Sequence, residues 1–380
     1  MKKSLLLAWL AGLLVGCAKK PVEMKTGGEA PGNTFIIDNS GDAGHYVSAD
    51  IDINDNLHLV YVDGKNGALK IVQRSPTGLA VDVIDENCAK CLFATIWVSG
   101  RGDPQVAYYS GATKTLTFAY RKEGKWNKEA IEWGEGNGMG VQLLVDDQFT
   151  LHALYYSGDG WLKHAWRVPN QDRDLKPKKE GAPPPPEGLW ASERVDRANG
   201  SERVQISFVK LPDNRLAASY LHWSGFQSEL RYASQNAEQA WVVEKVTSEN
   251  NPGKSSAIFL DQQGAPRIVF REARDNRLCL AERRGEGWEI IPLVAEAHNM
   301  ALAADANGDL LLAYMKLSGE DPRKGKLHLA LRRSGVWTDY LVDQTPGSGF
   351  YLDAAFTSTS KPVVAYFQES SRSLKLFVGK

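Results

Sequence analysis

The chain has 380 residues, 45 Lys and Arg against 46 Asp and Glu, and 43% hydrophobic residues. It is too apolar for a disordered chain and too long to depend on a disulfide scaffold. Its basic residues are scattered and its net charge is −1, so it offers no electrostatic footprint for a phosphate backbone, and nucleic acid is not an expected partner.

In chain order, Lys2 and Lys3 precede an apolar run from Leu5 to Val15, too short to span a bilayer as a helix and suited to a secretion signal. The run ends in Leu14-Val15-Gly16-Cys17, which resembles the lipobox of bacterial lipoproteins. That resemblance implies a signal peptide over 1–16, lipidation of Cys17 and membrane attachment by several acyl chains. Ala18 in place of Asp resembles the sorting default for the outer membrane. Residues 17–33 are then the lipidated cysteine and a polar, Gly- and Pro-rich tether.

From residue 34 onward one pattern recurs: an apolar segment ending in an aromatic, a turn, and a second apolar segment. It reads LHLVY (57–61), PQVAY (104–108), LHALY (151–155), LAASY (216–220), PRIVF (266–270), LLLAY (310–314) and PVVAY (362–366). The closing aromatics are 47, 47, 65, 50, 44 and 52 residues apart. The long interval holds the Pro-rich stretch 170–188, which cannot donate to a sheet ladder and is an insertion loop. A second short strand follows each aromatic, then a turn and a strand opened by Trp126, Trp190, Trp241, Trp288 or Trp337; one more strand precedes each aromatic.

Four short strands in each such interval define a β-propeller blade. The predicted fold is all-β: seven four-stranded blades over 34–380. The seventh copy has three strands, and FIIDNSG (35–41) matches fourth strands such as YLVDQTPG (340–347), so an N-terminal strand is expected to close the ring and pair both open edges. The repeated tryptophans are expected to pack blades. The h-x-h-Ala-Tyr, Leu-x-h-Ala and Gly-x-Trp elements resemble bacterial sialidase-like secreted propellers, without their S-x-D-x-G-x-T-W boxes. Propellers host enzymes, lectins and scaffolds alike, so the resemblance implies architecture only.

Loops leading into the innermost strands gather at one mouth of a propeller channel. They carry His45, Tyr46, Phe93, Arg203, Lys254, His298, Asn299, Phe350 and Tyr351, a set suited to a glycan, an anionic ligand or a partner's loop. Cys88-Ala89-Lys90-Cys91 reads as a loop-stapling disulfide, and Cys279 as a free buried thiol. His58 and His152 occupy one repeat position, which points to a structural role. Arg101-Gly102-Asp103 reads as an ordinary tight turn. No nucleophile motif, metal-ligand spacing or cofactor signature is present, so neither metal nor cofactor is expected.

The expectation is a monomeric, lipid-anchored, non-catalytic binding or scaffolding module of the bacterial cell envelope at the outer membrane, contacting the membrane through its lipid and an envelope protein through its mouth. The alternative is a glycan-binding lectin or diverged glycosidase using the same mouth.

Overall fold

The computed structural model describes residues 22–75, 78–168, 189–198, 205–225 and 227–380. The signal segment, Cys17, the 170–188 insertion and Arg203 lie outside them. The described residues form seven antiparallel four-stranded blades, and the sheet of one blade gains a fifth strand at its outer edge. Blades 1 to 6 span 43–85, 91–133, 139–197, 207–247, 252–294 and 297–343. Blade 7 takes three strands from 348–379 and its outermost from Gly32–Asp38, paired antiparallel from Gly32↔Gly379 to Asp38↔Leu374. Each first strand contacts the first strands of both neighbouring blades, and blade 7 returns to blade 1. The seven-bladed ring and its N-terminal closure are therefore as the repeats predict.

The apolar core is divided among the seams. Seven clusters of buried side chains each draw on two adjacent blades; the one between blades 1 and 2 holds Val60, Leu69, Ile96 and Tyr108, and the one between blades 7 and 1 holds Leu59, Tyr61, Ala365 and Leu376. No single blade buries both of its faces alone, so ring closure completes the core.

Polar staples cross the same seams. Every fourth strand carries a bulge at an equivalent aliphatic residue: Ile37, Ile84, Ile131, Val195, Val246, Leu293 and Val342. An extra residue in a strand returns positions i and i+3 to one face. The acids flanking the bulge in Asp82-x-x-Asp85, Glu129-x-x-Glu132 and Glu193-x-x-Asp196 consequently both reach the next blade. The second acid accepts the phenol of the next blade's repeat tyrosine: Tyr108 to Asp85 at 2.6 Å, Tyr155 to Glu132 at 2.5 Å and Tyr220 to Asp196 at 2.6 Å. Tyr366 to Asp343 and Tyr61 to Asp38 repeat the bond at 2.6 and 2.7 Å. Burial, then the neighbouring carboxylate, pushes these phenols far above the ordinary tyrosine range, so they stay protonated donors.

The first acid meets the tryptophan. Trp126, Trp190 and Trp241 each donate Nε1 to Asp82, Glu129 and Glu193 at 2.9 Å. Arg121 and Arg167 pair with the first two of these acids, and Arg121 also lies over the Trp126 ring. The tryptophans thus pack blades as the repeat pattern predicts. The third strands carry no recurrent acidic partner for these tryptophans, because the partner lies on the fourth strand of the preceding blade.

The N-terminal segment departs from a simple tether. Val22 donates its N–H to Pro292 O of blade 5 at 2.9 Å, Met24–Glu29 pairs parallel with the outer strand of blade 6 as a fifth strand, and the chain then enters blade 7. Described residues within 17–33 therefore form a strap across three blades. Their composition reads as a linker because the bonds come from the backbone, which needs no apolar side chain.

Candidate binding site at the mouth of the channel

Four of the predicted mouth residues assemble into one aromatic arc across blades 7, 1 and 2. Ring centroids of Tyr351 and Tyr46 lie 4.9 Å apart, and those of Tyr46 and Phe93 lie 5.2 Å apart edge to face. His45 sits against Tyr351 at 5.0 Å and against buried Phe367 at 4.6 Å. The first strands of these blades break register at this level. There Tyr46, Phe93 and Tyr351 take left-handed backbone angles, φ 50°, 58° and 47°. Such angles are uncommon for bulky residues and cost on the order of 1 kcal/mol each. Blade 3 has Gly140 at φ 65° instead.

His45 is fixed from below. Its Nε2 lies 2.6 Å from Asp42 Oδ1, and Arg372 donates to the same oxygen at 2.7 Å. Burial opposes ionisation of Asp42, but the bonds from His45 and Arg372 outweigh it and hold the carboxyl below the usual range.

The other predicted residues spread around the rim. His298 Nδ1 is 3.0 Å from Asn299 Oδ1, and Asn299 Nδ2 donates to Gly349 O of blade 7 at 3.2 Å. Phe350, beside Tyr351, pairs with Phe367 in the ladder. Lys254 is exposed, and its carbonyl accepts the Gln205 N–H; among the described residues it makes no hydrogen bond or ion pair with the arc. Cys88 and Cys91 lie at disulfide distance with Cα atoms 5.4 Å apart, where the loop enters the strand that carries Phe93. Cys279 is free and buried, and burial pushes its thiol up to about 12.

Two carboxylates on the first strands were not singled out by the sequence. Asp353 accepts the Ala49 and Ala354 N–H groups at 2.8 Å, and Asp50 accepts those of Val98 and Ile51 at 2.7 and 2.8 Å. Burial pushes Asp50 up and Asp353 up to about 6, against those bonds. Raised carboxyls on a channel wall invite an acid–base reading. Here each oxygen is already committed to backbone N–H groups, including those of the next blade's open inner edge, so the two carboxylates act as caps. Ser207 does the same for Ile258 N at 3.0 Å. Among the described residues no cluster of three or more His, Cys, Asp or Glu could hold a metal ion.

No protein-family model matches the chain, and no curated protein matches it. Solved structures do match its fold. The structure of YCF48 bound to D1 peptide aligns with a TM-score of 0.58 at 12% identity, covering 96% of this chain and 99% of that one. A polysaccharide lyase of family PL25, an ulvan lyase bound to -[GlcA(1-4)Rha3S]-, aligns at 0.57 and 12%, over 92% and 94%. AofleA from Arthrobotrys oligospora aligns at 0.51 and 11%, over 83% and 91%. The class of the protein is thus a seven-bladed β-propeller, and at these identities the likeness concerns the fold alone.

Proposed function

We propose that this protein is an exported, lipid-anchored propeller that binds a partner protein at the bacterial cell envelope through the mouth of its channel. The observation that carries the reading is the arc of Tyr351, Tyr46 and Phe93, three aromatics in left-handed conformations on three consecutive blades. Phe93 is buried in the seam between blades 2 and 3, and Tyr46 and Tyr351 pack half-buried against neighbouring seams, so the arc offers a partner rigid, pre-packed apolar area at the inner rim. Anchorage through Cys17 at the outer membrane follows from the lipobox and completes the proposal. The commitment of Asp50 and Asp353 to backbone caps supports binding over hydrolysis.

The test is a pull-down from envelope extract with the detergent-solubilised chain, beside a Tyr46→Asn/Tyr351→Asn variant whose new residues tolerate the same backbone angles. A protein captured by the wild type and lost with the variant supports the reading. A glycan-array signal lost with the variant, without any such protein, replaces it by a lectin reading. Metabolic labelling with a fatty-acid probe, expected for wild type and absent from Cys17→Ser, tests the anchor.

A further inference from the structure

On the face opposite the mouth, the seven turns joining first and second strands share one geometry. In each, the fourth residue donates its N–H back to the first: Asp55 to Asp52, Gly102 to Ser99, Phe149 to Asp146, Asn214 to Leu211, and onward to Ser360 and Thr357. That fourth residue always has a left-handed backbone, φ between 58° and 81°. Six of the seven are Asp, Gly, Asn, Gly, Gly and Ser, types that suit a tight turn. The seventh is Phe149, at φ 62° and 88% exposed.

Neighbouring turns also touch. Ser358 donates its N–H and hydroxyl to Asp55 at 2.7 Å, Asn307 donates to Ser360 at 3.2 Å, Gln262 donates to Asn307 O at 2.9 Å, and Asp147 donates its N–H to Asn214 at 2.9 Å. Between blades 2 and 3 the turns are parted by a cleft of about 580 Å³, bordered by Ser99 of one turn and Phe149 of the other, and a smaller cleft of about 400 Å³ lies between the turns of blades 4 and 5. Trp97 and Tyr120 line the larger cleft beside Phe149, with Gln105 and Thr150 among its polar groups. Its charged lining residues are Lys122 and Arg167, with no carboxylate among them. Arg167 is held in place by Glu129 and lies over Phe118 and Tyr120.

We infer that this cleft binds an anionic oligosaccharide, independently of the mouth. Aromatic faces pack against the C–H faces of sugar rings, amide and hydroxyl groups meet their hydroxyls, and the cationic lining complements a carboxylate or sulfate. The volume lies within the range of small-ligand clefts. Of the two turns that border the cleft, blade 2 has Gly102 at the strained position, whereas blade 3 has Phe149, presented to solvent rather than packed in the core. Ligand contact accounts for both departures.

The experiment is isothermal titration of the detergent-solubilised full chain with an oligogalacturonate, with cellotetraose as the neutral sugar and an acidic peptide of matched charge. The oligogalacturonate binds wild type with an affinity that falls as salt rises. Phe149→Asn weakens binding at least tenfold while raising the melting midpoint by about 2 °C, because Asn tolerates the turn. Lys122→Gln lowers the preference over cellotetraose, and Tyr46→Asn leaves binding unchanged, which separates this site from the mouth. Binding of neither sugar, binding unaffected by Phe149→Asn, equal binding of the neutral sugar, binding of the peptide alone, or loss with Tyr46→Asn would each overturn the inference.

Discussion

The phenol of Tyr61 donates to Asp38 at 2.7 Å across the seam where the N-terminal strand meets blade 1. Lys70 stands 3.6 Å from the same carboxylate and 2.6 Å from Asp63. The bond that elsewhere joins neighbouring blades of one continuous chain here locks the ring shut. Asp38→Ala strands a buried phenol and removes the more distant of the two carboxylates beside Lys70, and is expected to cost about 2 kcal/mol; Tyr61→Phe removes one bond and costs about 1 kcal/mol. Urea unfolding midpoints of the two variants check this order. Equal losses would mean that the staple does not depend on the carboxylate.

The seam between blades 4 and 5 is the natural control. Where five seams pair an acid with a tyrosine of the next blade, this one has Thr247 and Phe270, and among the described residues the buried Trp288 indole N–H has no hydrogen-bond partner. Phe270→Tyr alone is expected to destabilise by about 1–2 kcal/mol by burying an unpaired hydroxyl, and Thr247→Asp alone by a similar amount. The double variant restores the pattern and recovers most of the loss. A double-mutant cycle with no coupling would refute the staple as a unit. Hydrogen exchange in the wild type is expected to show this seam opening before the seam between blades 2 and 3.

Acid acts on two groups in opposite directions. His152 lies buried, 2.9 Å from His164, and burial followed by that neighbour depresses it to about 4. Its folded value lies below its unfolded one, so the unfolded chain binds more protons between about pH 6.5 and pH 4, and stability falls as pH drops through that window. Asp353, raised to about 6, is protonated more readily when folded, so stability rises as pH falls from about 6 to 4. Against wild type, His152→Gln is expected to gain about 2 kcal/mol on going from pH 7 to pH 4, and Asp353→Asn to lose about 2 kcal/mol over the same range. Chemical denaturation at the two pH values reads both. Parallel curves for either variant would exclude that residue as the titrating group.

Gly27 faces the ring of Tyr340 in the outer strand of blade 6, with no room for a Cβ. Gly27→Val is expected to lift the strap from blade 6 while leaving the closing strand in blade 7. Amide exchange in Tyr340 and Leu341 then quickens by at least tenfold, with a melting midpoint within a few degrees of wild type. A global loss of structure would show that the fifth strand is part of ring closure and not an addition to it.

The blade count, the strand order, the turns and the closing strand were all legible in the sequence, because alternating apolar residues and turn residues act within a few positions of one another. The repeat aromatics announced themselves in the same way, and so did the rim residues His45, Tyr46, Phe93 and Tyr351, which sit at a fixed distance before them. Only the tertiary structure decided what those residues meet. The Asp and Glu pairs lie on the preceding blade, and they share a face only because a bulge, a feature of strand pairing, shifts one of them. The strap of Met24–Glu29 is held by backbone groups that leave no trace in composition. Asp50 and Asp353 became caps because ring closure sets one blade's inner strand beside the next. The exposure of Phe149 depends on where two turns, some 47 residues apart in sequence, fail to meet.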